Sequence, residues 1–363
     1  MTLGGSEQLV RTLIRNIDRD RFSPSLAWFH GDALDEFTSL NIPLYHVPKQ
    51  KSFDISTMKA MAKIIAENDI QVVNAHHFMS MVYCFYGCKK NHAKLIYTEH
   101  SAWEIEKIKL KWQLAGKILL QFVDKIVGVS PDVSNCLTRR LGAPPSRTDT
   151  VKNGVNLDLF SGKHPSLTLK NELGINAEDK VIGIVANLKK VKNHLFLLKA
   201  FKEVSAEYDK VKLIVIGQSF ADDPESSEEE IKNYIATHDL TNKVFMLGYR
   251  SDIPQLLSIM DIFCLTSHME GLPISIIEAM ASGLAIIGTD APGIREVVKH
   301  SHTGLIVPIN NVTALKTAIL TLVKDEALRS LMGKNSRSEA EKFSLTQCVR
   351  TYENLFLVPP AKA

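Results

Sequence analysis

Two carboxylates, Glu270 and Glu278, are placed by type and spacing to do chemistry. They lie in Leu265-Thr266-Ser267-His268-Met269-Glu270-Gly271-Leu272-Pro273-Ile274-Ser275-Ile276-Ile277-Glu278-Ala279-Met280-Ala281-Ser282-Gly283. The apolar run from Ile262 to Leu265 reads as a strand that ends in small polar residues. Glu270-Gly271 and Pro273 read as a turn with proline near a helix start. Ile276, Ile277, Met280 and Ala281 follow at helical spacing, and Gly283 predicts the stop. A second apolar run, Leu284 to Ile287, leads to Thr289-Asp290. One carboxylate therefore sits on a loop and the other inside the helix that follows. A loop that opens a helix offers unpaired backbone N–H groups to an anion. Two carboxylates beside it fit a ligand with both phosphate and hydroxyls, which describes a nucleotide sugar.

The elements that must hold these residues are those of an α/β protein. At 363 residues the chain is long enough for two domains. Its 45% hydrophobic and 23% charged residues suit a globular protein. A net charge of +3 gives no argument for nucleic acid. The first 163 residues carry a small excess of Lys and Arg, and the rest a small excess of Asp and Glu. The five cysteines, Cys84, Cys88, Cys136, Cys264 and Cys348, show no zinc spacing and read as reduced thiols of a cytosolic protein. No apolar run approaches the roughly 20 residues that span a bilayer, and no signal peptide is visible.

Strands and helices alternate along the chain. Gly4-Gly5 opens a helix with Leu9, Val10, Leu13, Ile14 and Ile17 on one face, and backbone amides there can approach a phosphate. Strands are expected at 25–29, 43–47, 70–75, 94–98, 125–129 and 148–152, and helices at 55–68, 78–88, 103–122 and 132–141. Residues 160–165 read as a linker. A second series begins at Val181-Ile182-Gly183-Ile184-Val185 and continues through a helix at 194–207 and a strand at 211–216. Residues 218–230 are acidic and polar and read as a solvated loop. A strand at 244–247 and a helix at 252–259 lead into the Glu270 stretch, and two helices close the chain. Such alternation predicts parallel, doubly wound sheets.

Glu270 and Glu278 within EGLPISIIEAMASGLAIIGTDAPGIREVV resemble the carboxylate pair of the retaining glycosyltransferases of family 4. GGSE at 4–7, TEHS at 98–101, GVSPDVS at 128–134, VKNGVN at 151–156, VANLKKVKNH at 185–194 and LGYRSDIP at 247–254 follow in that family's order. The resemblance covers most of the chain. It implies the GT-B fold, two facing Rossmann-like domains. The first is expected over 1–163 on the acceptor side and the second over 164–344 on the nucleotide-sugar side, with a C-terminal helix over 345–363 returning towards the first. The family's first strand precedes the Gly-Gly loop, so that strand is expected to be missing here.

The resemblance also implies roles. Lys192 would meet the donor diphosphate, with Lys189 or Lys190 replacing an arginine that this chain lacks at Asn187. Gly5 and the amides of Gly271 and Leu272 would face the same group. Glu278 would bind the ribose, and Tyr249 and Arg250 the base. Glu270 and His100 would act at the transferred sugar as the catalytic pair. No metal or other cofactor is expected, and no nucleophile or general base stands out, in keeping with attack on the face from which the leaving group departs. His76 and His77 read as structural, since neighbours on a strand point to opposite faces. The donor would be a nucleotide-diphosphate sugar, and the acceptor a glycan or lipid-linked molecule in cell-surface polysaccharide or glycolipid synthesis. Residues 103–122, with Trp103, Trp112 and four lysines, suggest a peripheral contact with the inner face of a membrane. The alternatives are a non-catalytic or impaired nucleotide-sugar-binding homologue and a nucleotide-sugar epimerase of the same fold.

Overall fold

A computed structural model describes residues 5–31, 35–49, 53–160, 167–219 and 223–357. The chain divides into two compact units, Met1–Gly154 with Thr346–Ala363, and Val155–Leu345. Gly4, and whatever strand would come before it, falls outside the described residues, as does most of the expected linker.

The first unit runs α1 (Gly5–Asn16), β1 (Leu26–Trp28), α2 (Asp35–Thr38), β2 (Leu44–His46), α3 (Ile55–Glu67), β3 (Val72–His76), α4 (Phe78–Lys90), β4 (Lys94–Glu99), α5 (Ala102–Glu106), α6 (Leu110–Leu119), β5 (Lys125–Gly128), α7 (Pro131–Leu141) and β6 (Thr148–Thr150). β3, β4, β5 and β6 form one parallel sheet in that order, and β1 pairs with β2 in a separate one. β4 is buried along nearly its whole length: its middle, Leu95-Ile96-Tyr97, is apolar without alternation, and Thr98 and Glu99 are buried with it.

The second unit runs α8 (Leu167–Glu172), β7 (Lys180–Val185), α9 (His194–Glu207), β8 (Val211–Ile216), α10 (Glu228–Thr237), β9 (Val244–Gly248), α11 (Ile253–Ser258), β10 (Ile262–Leu265), α12 (Ile274–Ala281), β11 (Ala285–Thr289), α13 (Pro292–Val297), β12 (Gly304–Val307), α14 (Val312–Lys324) and α15 (Glu326–Ala340). Its six strands are parallel in the order β12-β11-β10-β7-β8-β9. The order reverses between β7 and β10, so the loops after these two strands flank the switch point where open α/β sheets bind ligands. The last helix, α16 (Leu345–Phe356), falls almost wholly in the first unit, where Glu353 accepts a bond from the Asp18 amide at 2.9 Å.

Three local expectations are corrected. Residues 103–122 are not one helix: α5 ends at Glu106 and α6 starts after Lys109, whose ψ of 146° is extended. No Gly or Pro marks the break, so periodicity could not show it. The acidic segment before residue 230 is not all solvated loop. Glu228, Glu229 and Glu230 form the first turn of α10, where the helix dipole favours carboxylates. The chain closes with three helices, because the Asp325 side chain caps α15 by accepting from the Leu328 amide at 2.9 Å and so separates it from α14. The five cysteines are all buried free thiols.

Candidate functional site

In the second unit the loop after β7 meets the loop after β10. Lys192 closes the first loop in a short 3-10 turn, and Asn193 takes the left-handed φ of 53° that starts α9. The His268 amide donates to the Val191 carbonyl at 2.8 Å, and the Thr266 hydroxyl reaches the Lys192 and Asn193 carbonyls at 3.2 Å. These bonds tie the loops together. The result is an ion pair: Lys192 Nζ lies 2.7 Å from Glu270 Oε1, and the Ser267 hydroxyl donates to the same oxygen at 2.5 Å. The Glu270 side chain is only 9% exposed and that of Lys192 21%, so the pair is largely desolvated.

Gly271 and Leu272 follow, both buried, and lead to α12. Glu278 is partly exposed on α12. Lys189 points elsewhere, to Asp223 at 3.0 Å, so its charge is committed to holding the acidic segment. Tyr249 stands 45% exposed just after β9. Arg250 closes a two-pronged pair with Asp252, at 2.7 and 2.5 Å.

Sequence reasoning missed the groups that support Glu270. Ser267 sits in the quoted stretch, and only its bond to Glu270 reveals its part. The Thr289 hydroxyl holds the Ser267 carbonyl at 2.5 Å. Gly293 packs under the loop: a Cβ there would lie 2.6 Å from the carbonyl oxygens of Glu270 and Gly271. Gly293→Ala is expected to displace that loop, cost about 1–3 kcal/mol of stability and lower turnover far more than nucleotide binding. Parallel measurements of melting, nucleotide affinity and rate check this.

In the first unit His100 follows β4 and lies beside the end of β3. His76 Nδ1 is 2.8 Å from His100 Nε2, with the two rings stacked. The His77 ring centroid is also 5.1 Å from that of His100. The strand rule of opposite faces therefore fails for His76 and His77. His77 leaves the strand with φ 70° and ψ 152°, and this turn brings its ring back beside the His100 ring. Such backbone angles are costly for a residue with a Cβ and are held by surrounding contacts.

Those contacts are charged. His77 Nδ1 lies 2.9 Å from Glu104 Oε2 and 3.6 Å from Glu99 Oε1; burial opposes its charge, but these two carboxylates outweigh burial and raise its pKa to about 11. His76, by contrast, is pushed down to about 3 by burial and the charge on His77. Burial likewise holds His100 well below the ordinary value. Glu99 is buried and accepts from Tyr97 Oη at 2.6 Å, the His100 amide at 2.7 Å and the Ser101 amide at 3.3 Å. Ligand atoms of His77, Glu99 and Glu104 lie within 4.8 Å of one another. With Glu99 so fully bonded, the three read as an imidazolium held by two carboxylates, which anchors the loop bearing His100. Gly5, in the same unit, is exposed at the start of α1.

The description "Glycosyltransferase Family 4" matches residues 3–159, and "Glycosyl transferases group 1" matches residues 166–339. Spore coat protein SA of Bacillus subtilis is 31% identical over 261 residues, 68% of this chain and 67% of that protein. N-acetyl-alpha-D-glucosaminyl L-malate synthase of Bacillus anthracis is 26% identical over 326 residues, 88% of this chain and 83% of the relative. The crystal structure of Anabaena HepE with UDP and glucose superposes with a TM-score of 0.85 at 22% identity, covering 97% of this chain and 95% of that one. A glycosyltransferase from Rickettsia africae gives 0.86 at 20% identity, covering 98% and 95%. These likenesses establish the GT-B fold of two Rossmann-like domains. With a relative this similar, and with the two family descriptions between them running from residue 3 to residue 339, the chain belongs to glycosyltransferase family 4.

Proposed function

We propose that this chain transfers a sugar, with retention of anomeric configuration and without a metal, from a nucleotide-diphosphate sugar to a glycan or lipid-linked acceptor. The observation that carries the reading is the Lys192–Glu270 pair at the switch point of the second sheet. Lys192, with the amides of Gly271 and Leu272, meets the charge that builds on the departing diphosphate. Glu278 takes the ribose hydroxyls. Glu270 binds the transferred sugar, and His100 is the catalytic contribution of the first unit. Gly5, Lys189, Tyr249 and Arg250 keep the assignments that the family resemblance gives them. For Lys189 and Arg250 this requires exchanging a carboxylate partner for the ligand.

Names among the relatives support the donor and acceptor classes. One, 27% identical over 325 residues, is the Escherichia coli UDP-Gal:alpha-D-GlcNAc-diphosphoundecaprenol alpha-1,3-galactosyltransferase. A panel of nucleotides and nucleotide sugars, scored by thermal stabilisation, tests donor binding. At least one should raise the melting temperature, and a flat response across the panel refutes the donor site. Product analysis by NMR then reads the anomer, where inversion refutes retention. A chelator that stops turnover refutes metal independence.

The reading extends to location, a cytoplasmic chain working against the inner face of a membrane. No described helix is long and apolar enough to cross one. The apolar side chains on offer are not the tryptophans. Trp103 lies under Lys107, 3.3 Å from ring centroid to Nζ, and Trp112 packs on Phe53 at 5.1 Å. Instead Leu110, Leu114, Ile118 and Phe122, spaced by four along α6 and the turn after it, are 70%, 55%, 65% and 56% exposed. Lys107, Lys109, Lys111 and Lys117 are exposed beside them, and no carboxylate occurs from residue 107 to 123. Exposed apolar groups flanked only by lysines suit an anionic bilayer surface. The protein should pellet with anionic vesicles at low salt. The double variant L114E/I118E should stay in the supernatant, and wild type doing the same ends the idea.

A further inference from the structure

We propose that Asn74 and His76 are positioning residues that hold His100 with its proton on Nδ1, so that it meets its ligand as a hydrogen-bond donor and cannot serve as a base. The inference deepens the reading that His100 touches substrate, and in its functional part rests on it. The argument follows hydrogens along a chain of side chains. Thr98 Oγ1 donates to Asn74 Oδ1 at 2.8 Å, which orients the amide. Asn74 Nδ2 then points at His76 Nε2, 3.1 Å away. An amide nitrogen only donates, so His76 Nε2 must offer its lone pair. A neutral His76 therefore carries its proton on Nδ1, which faces His100 Nε2 at 2.8 Å. That nitrogen must accept. The remaining proton of His100 sits on Nδ1, for which the structure records no hydrogen bond among the described residues.

The surroundings keep both rings neutral. His77, carrying positive charge between Glu99 and Glu104, follows His76 directly and has its ring centroid 5.1 Å from that of His100. Glu99 is turned away from the His100 ring towards Tyr97, the His100 and Ser101 amides and His77. Glu104 is bound to His77. Burial and the His77 charge lower the pKa of His76 and of His100 alike. An imidazole whose Nε2 is filled by a donor and whose Nδ1 bears a hydrogen has no lone pair left for an acceptor hydroxyl.

The tautomer is read directly in the free full-length protein by NMR of ¹⁵N-labelled histidines, with His100 assigned through H100A. The expected spectrum has a protonated Nδ1 and a bare Nε2, and the reverse pattern overturns the proposal. In turnover, H76A should lower kcat more than about tenfold with little change in donor KM. It should also add an acid limb to the pH profile, because Nε2 of His100 is freed to bind a proton. H76Q places an amide donor in reach of Nε2 and should restore the flat profile and most of kcat. N74D removes the amide donor, so His76 must turn its proton to Nε2 and leave His100 with a bare Nδ1. N74D with wild-type kcat and tautomer would sink the relay. H100A with full transfer would instead refute contact between His100 and substrate, and would leave the tautomer measurement to be judged by itself.

Discussion

Lys192→Ala is expected to lower donor kcat/KM by about 10²–10³ and to loosen the second unit as well. The activity loss follows from removing the cation paired with Glu270 at the switch point. The stability loss follows from what remains. Glu270 would keep a nearly buried carboxylate with the Ser267 hydroxyl on Oε1 and no lysine. Removing one partner of a buried pair costs about 3–5 kcal/mol, and the 21% exposure of Lys192 puts this case towards the lower end. Glu270→Gln should behave differently. Transfer should fall as far, but nucleotide affinity should hold or rise, since Lys192 no longer divides its charge between carboxylate and phosphate. The double variant K192M/E270Q should recover stability without recovering turnover, because the two sites share one interaction. Calorimetric titration with nucleotide, thermal melting and steady-state rates on the four proteins separate these effects. K192A with undiminished transfer would remove Lys192 from the site.

Stability should fall as pH drops below about 6.5, and His194 should be a main cause. It is 2% exposed, and neither ring nitrogen has a hydrogen-bond partner among the described residues. Burial, with the charge of Lys192 acting the same way, lowers its pKa to about 3. Between the unfolded value of 6.5 and the folded value of about 3, the unfolded chain binds a proton that the folded chain refuses. Stability therefore declines as pH falls through that window, by on the order of 5 kcal/mol at its lower end. His76 adds to the decline in the same direction. His77 does the opposite: its raised pKa stabilises the fold fully below about 6.5, and the contribution is lost as pH climbs towards 11. H194L removes an orphaned buried imidazole and should gain about 1–3 kcal/mol at neutral pH while flattening the acid slope. Urea titrations of both proteins across the acid range measure this, and an unchanged slope in H194L would clear His194 of the role.

The positions of the elements were largely legible. Apolar runs of four to six residues between turn signals mark β7, β8, β10 and β11, since strands buried on both faces must be apolar throughout. Gly283, with φ 76°, ends α12 where the sequence places its stop. The failures were breaks without a breaker. Nothing in Lys107-Ile108-Lys109 forbids a helix, and the polar residues around 228 fit either a loop or the acidic first turn of α10.

The sequence by itself determined the α/β class, the family and the loops that carry Lys192, Glu270 and His100, because local periodicity and turn chemistry are written in neighbouring residues. Only the tertiary structure decided which of those side chains meet. Lys192 and Glu270 are 78 positions apart, and His76 and His100 are 24 apart. Each pair is joined because the strands preceding it, β7 with β10 and β3 with β4, lie side by side in their sheets. Strand order depends on which apolar faces bury one another across the whole unit, and no short stretch of chain records that choice.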